Sequence, residues 1–167
     1  AYASDATIVL IGMRASGKSH VGQRLAGLLH RTFLDADEVF AQLHGDLGAY
    51  VQSFGWDAFR EAEAQILASL ISQHPTGHVL ALGGGVVEYA PSRALLEHVR
   101  EQVGPVVHIL RSYEAISAFL ATSDRPAYGE PLSDVYARRQ PLYTRAACME
   151  TVNASDTTAE ALARQLA

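Results

Sequence analysis

A glycine-rich loop near the N-terminus constrains the fold more than any other feature of the sequence. Residues 12–19 read GMRASGKS, which matches the pattern G-x-x-x-x-G-K-[ST] in full. The loop follows the apolar run TIVLI and precedes a segment whose apolar residues have helical spacing. Between a strand and a helix, such a loop binds phosphate groups through its backbone N–H groups and the positive end of the helix. We therefore expect a nucleotide-phosphate site; the alternative is a glycine-rich turn followed by Lys and Ser by chance.

The loop pattern assigns separate tasks to two of its side chains. The ammonium group of Lys18 reaches the β- and γ-phosphates, and the hydroxyl of Ser19 is a ligand for Mg²⁺. ATP and Mg²⁺ are therefore the expected cofactors. The residues predicted to contact the nucleotide are Gly12, Arg14, Ala15, Ser16, Gly17, Lys18 and Ser19.

The rest of the chain alternates short apolar runs with longer segments of helical period. This alternation predicts an α/β fold with a five-stranded parallel sheet and helices on both faces, in which ligands bind at the carboxyl ends of the strands. The predicted strands are 7–11, 32–34, 79–82, 106–110 and 149–152. The predicted helices are 18–29, 37–43, 56–71, 91–99, 113–120, 132–146 and 158–166.

Composition limits the partners of the chain. With 167 residues, of which 49% are hydrophobic and 19% charged, it is predicted to form one domain over residues 1–167 with a sizeable core. The net charge of −5 argues against a nucleic-acid partner, and no apolar stretch approaches the roughly 18 residues that span a bilayer. The single cysteine, Cys148, cannot form an internal disulfide. We therefore expect a cytoplasmic domain that binds small metabolites.

One segment interrupts the alternation of strands and helices. Residues 121–131 read ATSDRPAYGEP and contain two prolines and a glycine. The segment is long for a plain connector, so we interpret it as a lid loop over a bound ligand.

Two carboxylates follow the second predicted strand in the stretch FLDADE. The period of two along an extended chain puts Asp35 and Asp37 on one side, near the phosphate site if this strand neighbours the first. One carboxylate could orient the water shell of Mg²⁺ and the other could face an acceptor hydroxyl. The alternative is a helix N-cap, because Asp commonly precedes an apolar helical segment.

Three further features suggest the nature of the acceptor. The glycines Gly83, Gly84 and Gly85 follow a predicted strand and allow close approach of a ligand to the backbone. Arg60 and one residue of the pair Arg138 and Arg139 could clamp a carboxylate through bidentate hydrogen bonds. Each feature has a plain alternative: a solvated helix residue, a flexible turn and a charged helix face.

The ordered motifs GMRASGKS, DAD, FR, GGGVVE, RP and RRQPLY resemble those of shikimate kinases over nearly the whole chain. They look most like the shikimate kinase segment of the fungal pentafunctional arom polypeptide, and a fungal quinate-pathway repressor contains a related segment. The resemblance implies a P-loop kinase fold and ATP-dependent phosphorylation of the 3-hydroxyl of shikimate with Mg²⁺. It also implies that the chain is either a separate protein or a domain excised from a larger polypeptide.

The resemblance also implies roles for individual residues. Lys18 and Ser19 would bind ATP, with Ser19 and Asp35 supporting the metal. Asp37 would hold the acceptor hydroxyl, and Arg125 in the lid would neutralise phosphate charge. The shikimate site would comprise Asp37, Arg60, Gly83, Gly84, Gly85 and Arg139, the last chosen because it occupies the R-x-P-L-Y register.

Three positions depart from the broader family pattern. Ala15 stands where glycine is frequent in the phosphate loop. Ala41 and Trp56 stand where acids are often found, and such acids can support the substrate-binding arginines.

Two other interpretations are open at this stage. One is a non-enzymatic, nuclear sensor domain of a quinate-pathway repressor. The other is a different small-metabolite kinase, such as a gluconate-type kinase, which should lack the joint GGG and R-x-P-L-Y features. The presence of Lys18, Asp37 and Arg125 together favours an enzyme, because pure ligand recognition needs neither a hydroxyl-activating carboxylate nor a lid arginine.

Overall fold

The computed structural model describes residues 1–122 and 129–167. Its sheet has five parallel strands in the order β2-β3-β1-β4-β5, which confirms the predicted architecture. The third strand lies one residue earlier than predicted, and the first strand begins at Ile8 rather than at residue 7. The strands are β1 Ile8–Ile11, β2 Thr32–Asp35, β3 His78–Ala81, β4 Val106–Leu110 and β5 Met149–Val152.

All seven predicted helices are present with small changes at their ends. The α-helices are α1 Lys18–Leu28, α2 Ala36–His44, α3 Leu47–Phe54, α4 Trp56–Gln73, α5 Ala90–Gln102, α6 Tyr113–Ala121, α7 Leu132–Ala146 and α8 Thr158–Leu166, and a short 3-10 helix spans Val86–Glu88. The described helices include none that is long and apolar enough to cross a bilayer.

Helix α3 was not predicted from the sequence. It lies between Gly45 and Gly55, and none of its residues is buried. Its first turn is capped by Asp46, whose side chain accepts a hydrogen bond of 2.9 Å from the backbone N–H of Ala49. Its apolar residues Leu47, Tyr50, Val51 and Phe54 have helical spacing, and Leu47 and Tyr50 pack partly buried against the core. The short length of the helix and the flanking glycines concealed this signal.

The core consists of two clusters, one on each face of the sheet. Because successive side chains of a strand point to opposite faces, β1 contributes Ile8 and Leu10 to one cluster and Val9 and Ile11 to the other. The first cluster is closed by residues of α1 and α8, and the second by residues of α4, α5 and α7. Helices therefore cover both faces, as predicted.

The strand order places the predicted site residues close together. Strand β3 lies between β2 and β1, so the carboxyl ends of these three strands are adjacent. The phosphate loop follows β1, Asp35 ends β2, and the three glycines follow β3. These segments therefore meet at one edge of the sheet, where ligands of doubly wound folds bind.

Candidate active site

The phosphate loop has the backbone conformation that glycine favours at three points. Gly12, Ala15 and Gly17 have φ values of 153°, 71° and 92°. Lys18 folds back over the loop, and its Nζ donates hydrogen bonds of 2.8 Å to the Gly12 carbonyl and 2.9 Å to the Met13 carbonyl. The buried Ser16 hydroxyl has no hydrogen-bond partner among the described residues. An unsatisfied buried hydroxyl in the loop fits a phosphate oxygen as its missing partner.

Two side chains that sequence reasoning missed hold the phosphate loop in place. Asn153, directly after β5, donates a hydrogen bond of 2.8 Å to the Ser16 carbonyl. Arg111, directly after β4, donates one of 2.8 Å to the Ala15 carbonyl. Both residues lie at the carboxyl ends of strands, and this position is the sequence signal that could have identified them.

A cavity of about 540 Å³ adjoins the loop and is large enough for the base and sugar of a nucleotide. Arg111 and Asn153 line it, so the residues that brace the loop also face this cavity. The remaining walls come from the start of α1, the segment at Ser112 and Ala115, and residues 152–159.

The two predicted metal ligands, Ser19 and Asp35, are hydrogen-bonded to each other. The Ser19 hydroxyl donates a hydrogen bond of 2.8 Å to Asp35 Oδ2. The other oxygen, Oδ1, accepts a hydrogen bond of 2.9 Å from the backbone N–H of Asp37 and caps α2. The N-cap alternative is therefore correct for Asp35, and the cap leaves Oδ2 beside the phosphate loop. A hydroxyl and a carboxylate beside bound phosphates are oxygen donors that suit Mg²⁺.

The carboxylate of Asp37 lies over the first glycine of the turn formed by residues 83–85, hereafter the glycine turn. A Cβ added at Gly83 would lie 3.0 Å from Asp37 Oδ1 and 2.6 Å from Glu63 Oε2. Only glycine therefore leaves room for both carboxylates.

Glu63 is a buried acid that sequence reasoning missed. It is 8% exposed, and burial raises the pKa of its carboxyl, with nearby Arg60 acting in the opposite direction. Its Oε1 is 2.9 Å from Arg60 Nη1. The spacing of three residues on α4 is the sequence signal that could have indicated this pair.

Arg60 is held against the last glycine of the turn. Its guanidinium lies so close to Gly85 that a Cβ there would overlap it. The guanidinium carbon lies 5.4 Å from the ring centroid of Trp56 and 5.2 Å from that of Phe59. Trp56, which replaces an acid of the family pattern, therefore contacts Arg60 through its ring face.

The two arginines of the RR pair have different surroundings. The side chain of Arg139 is 6% exposed, and its Nε donates a hydrogen bond of 2.8 Å to Glu88 Oε2. The side chain of Arg138 is 41% exposed and forms two hydrogen bonds with Glu130. A Cβ at Gly84 would lie 3.5 Å from Arg139 Nη1. Arg139 is therefore the member of the pair that faces the glycine turn.

Glu88, at the end of GGGVVE, was also missed as a site residue. It accepts hydrogen bonds from both Arg138 and Arg139. Burial acts to raise its pKa, but the hydrogen bonds and charges of the two arginines outweigh burial and lower the pKa below its ordinary value. Glu88 is therefore ionised at neutral pH and keeps Arg139 at the turn.

The glycine turn brings the predicted acceptor residues together. Asp37 contacts its first position, Arg139 its second and Arg60 its third. The backbone N–H of Arg14 would lie 3.0 Å from a Cβ at Gly84, so the phosphate loop adjoins the same turn. Arg125 and most of the predicted lid, residues 123–128, lie outside the described residues.

The sequence of the chain matches a family model described as shikimate kinase over residues 14–167. The chain belongs to the shikimate kinase family. The match includes the predicted acceptor residues, the glycine turn and most of the phosphate loop.

Relatives and solved structures agree with this assignment. A pentafunctional AROM polypeptide of Malassezia globosa is 66% identical over 99% of this chain, and one of Mycosarcoma maydis is 49% identical over 93%. The chain spans about a tenth of the length of these relatives. The shikimate kinase of Acinetobacter baumannii, solved in complex with shikimate, has 30% identity and a TM-score of 0.82, with 96% of this chain and 90% of that chain covered.

Proposed function

We propose that the chain transfers the γ-phosphoryl group of ATP to the 3-hydroxyl of shikimate. One observation carries the proposal: a carboxylate and two arginines, each from a different helix, converge on a glycine turn that adjoins the phosphate loop. This arrangement provides one partner for a hydroxyl and two for a carboxylate beside a bound phosphate. Membership in the shikimate kinase family supports the identity of the acceptor.

The donor side of the proposed reaction uses the phosphate loop. The backbone N–H groups of residues 12–19 bind the phosphates, and Lys18 leaves the loop carbonyls to contact the β- and γ-phosphates. Ser19 and Asp35 would hold Mg²⁺, Ser19 directly and Asp35 through the hydrogen bond between them. Bound Mg²⁺ neutralises charge on the β- and γ-phosphates. Arg111 and Asn153 would hold the loop beside the nucleotide cavity through their hydrogen bonds to the Ala15 and Ser16 carbonyls.

The acceptor side uses side chains that hydrogen bonds within the protein already hold in position. Arg60 and Arg139 would bind the shikimate carboxylate through their planar guanidinium groups, each held by a buried or half-buried glutamate. Asp37 would accept the hydrogen bond of the reacting hydroxyl, take its proton and align the oxygen with the γ-phosphate. Arg125 is assigned to the neutralisation of phosphate charge by its motif alone, and that role stays a prediction.

The Ser19–Asp35 pair favours an enzyme over a sensor of shikimate, because binding of the acceptor alone requires no metal site. We further propose that the chain functions as one domain of a larger polypeptide in the cytoplasm. The long AROM relatives support this setting.

The direct experiment is release of ADP from MgATP by the purified chain, with and without shikimate. We expect ADP to form only when shikimate is present, in equal amount to shikimate 3-phosphate. Gluconate in place of shikimate provides the matched control for another metabolite kinase. Saturable binding of shikimate without any ADP formation would contradict the proposal and support the sensor interpretation.

A further inference from the structure

The tyrosine of the R-x-P-L-Y segment has no part in the site described so far. Tyr143 is fully buried, and its hydroxyl donates a hydrogen bond to the carbonyl of Gly84. It follows Arg139 by four residues on α7, so the two side chains lie on the same face of the helix. Tyr143 therefore connects the helix that carries Arg139 to the middle of the glycine turn.

A buried histidine supports the ring of Tyr143. His108, on β4, is 1% exposed, and its ring stacks on Tyr143 with centroids 4.9 Å apart and planes inclined by 29°. Its Nδ1 lies 3.2 Å from Glu150 Oε1, an acceptor that assigns the proton to Nδ1. Burial lowers the pKa of His108, so the imidazole is neutral at neutral pH. The Tyr143 ring therefore packs against a neutral ring whose tautomer is fixed.

The Gly84 peptide lies between the phosphate loop and Arg139. A Cβ at Gly84 would lie 3.0 Å from the backbone nitrogen of Arg14 and 3.5 Å from Arg139 Nη1. A rotation of this peptide would move the turn against the phosphate loop or against Arg139. The hydroxyl of Tyr143 opposes that rotation, because its hydrogen bond fixes the direction of the Gly84 carbonyl.

We propose that Tyr143 is a positioning residue for the acceptor site. Its hydroxyl holds the Gly84 peptide, so that the glycine turn keeps Arg139 in register with Asp37 and Arg60, and His108 holds the Tyr143 ring. The inference rests on the proposed function for the identity of the acceptor. Tyr143 acts through the turn and touches neither substrate.

The test is Tyr143→Phe, which keeps the ring and its stacking and removes only the hydroxyl. We expect the KM for shikimate to rise about five- to tenfold, the effect of one lost hydrogen bond, with the KM for MgATP changed less than twofold. A purely structural role would reduce the amount of active enzyme and leave the KM for shikimate unchanged. That unchanged KM, or an equal rise in both KM values, would overturn the inference.

Tyr136→Phe is the matched control on the same helix. Its hydroxyl donates a hydrogen bond of 3.1 Å to the Arg111 carbonyl on the nucleotide side, so the variant removes the same kind of bond from α7. We expect it to leave the KM for shikimate unchanged. A rise equal to that of Tyr143→Phe would show general loosening of the helix and would also overturn the inference.

Two further measurements test the role of Tyr143. If Tyr143→Phe does not yield folded protein, His108→Asn removes the stacked ring and keeps the Tyr143 hydroxyl, and it should also raise the KM for shikimate selectively; equal KM values for this variant and the wild type would overturn the inference. Titration calorimetry with shikimate needs no turnover. A wild type that binds shikimate without forming ADP would refute the proposed kinase activity alone, whereas equal shikimate affinity of wild type and Tyr143→Phe would refute the role of Tyr143.

Discussion

Replacement of Arg139 by lysine tests the acceptor site most sharply among the arginine variants, because it keeps the positive charge and removes the planar guanidinium group. In the structure the Nε edge of Arg139 is bonded to Glu88, while Nη1 faces Gly84. A planar guanidinium can therefore bond Glu88 and a substrate carboxylate at the same time. A lysine ammonium is a single point charge on a flexible chain and cannot serve both partners with the same geometry.

The expected loss of shikimate affinity is that of one hydrogen bond to a charged group. A hydrogen bond to a charged group contributes about 1.5–3 kcal/mol, which corresponds to a Kd for shikimate that is roughly 10- to 150-fold larger. Arg138→Lys is the matched control. Its half-exposed side chain bonds Glu130 and Glu88 at the surface, where such pairs contribute about 0–1 kcal/mol. We expect less than about a fivefold change in Kd for that variant.

The assay is calorimetric titration of shikimate into each folded variant, with the thermal midpoint recorded as a check on the fold. A larger Kd for Arg138→Lys than for Arg139→Lys would refute the assignment of Arg139 to the substrate carboxylate. Equal and small effects for both variants would refute the carboxylate clamp itself.

Three further perturbations test other parts of the site. Lys18→Met should lower kcat at least about a hundredfold without unfolding the chain, because it removes a cation beside developing phosphate charge; unchanged turnover would contradict the nucleotide site. Gly85→Ala should displace Arg60 and abolish measurable shikimate binding, whereas Gly27→Ala, whose Cβ meets open space, should not. Because the pKa of Glu88 is lowered in the folded state, its contribution to stability is complete above about pH 4.5 and is lost as the pH falls through the lowered value. Glu88→Gln should therefore reduce the fall of the thermal midpoint below pH 4.5, and an unchanged pH profile would contradict this.

The sheet and seven helices could be predicted from the sequence because their apolar residues follow the periods of buried strands and amphipathic helices. The phosphate loop and the DAD stretch could be placed because each is local in sequence and adjoins a strand end. Helix α3 was missed although its apolar residues have helical spacing, because it is only eight residues long and lies between two glycines.

The supporting residues of the site were harder to predict because their partners are distant in sequence. Glu88 is recognised as part of the site only by its hydrogen bonds to arginines on α7. Arg111 and Asn153 are recognised by their hydrogen bonds to the phosphate loop. Such pairings depend on how strands and helices pack. The position of Arg111 and Asn153 after strand ends indicates that they lie near a site, but it does not indicate their hydrogen bonds to the phosphate loop. Glu63 is an exception, since its spacing from Arg60 on α4 is visible in the sequence.

The role of Asp37 as the base is tested most directly by Asp37→Asn, with shikimate binding and turnover measured side by side. Asparagine keeps the size and one acceptor oxygen and removes the charge that takes the proton. If the chain is a shikimate kinase with Asp37 as the base, the variant should bind shikimate within a few-fold of wild type while kcat falls by about two to four powers of ten. Asp5→Asn, an exposed aspartate in the N-terminal segment, should retain wild-type values. An Asp37→Asn variant with undiminished kcat would show that Asp37 is not the base of a phosphoryl transfer.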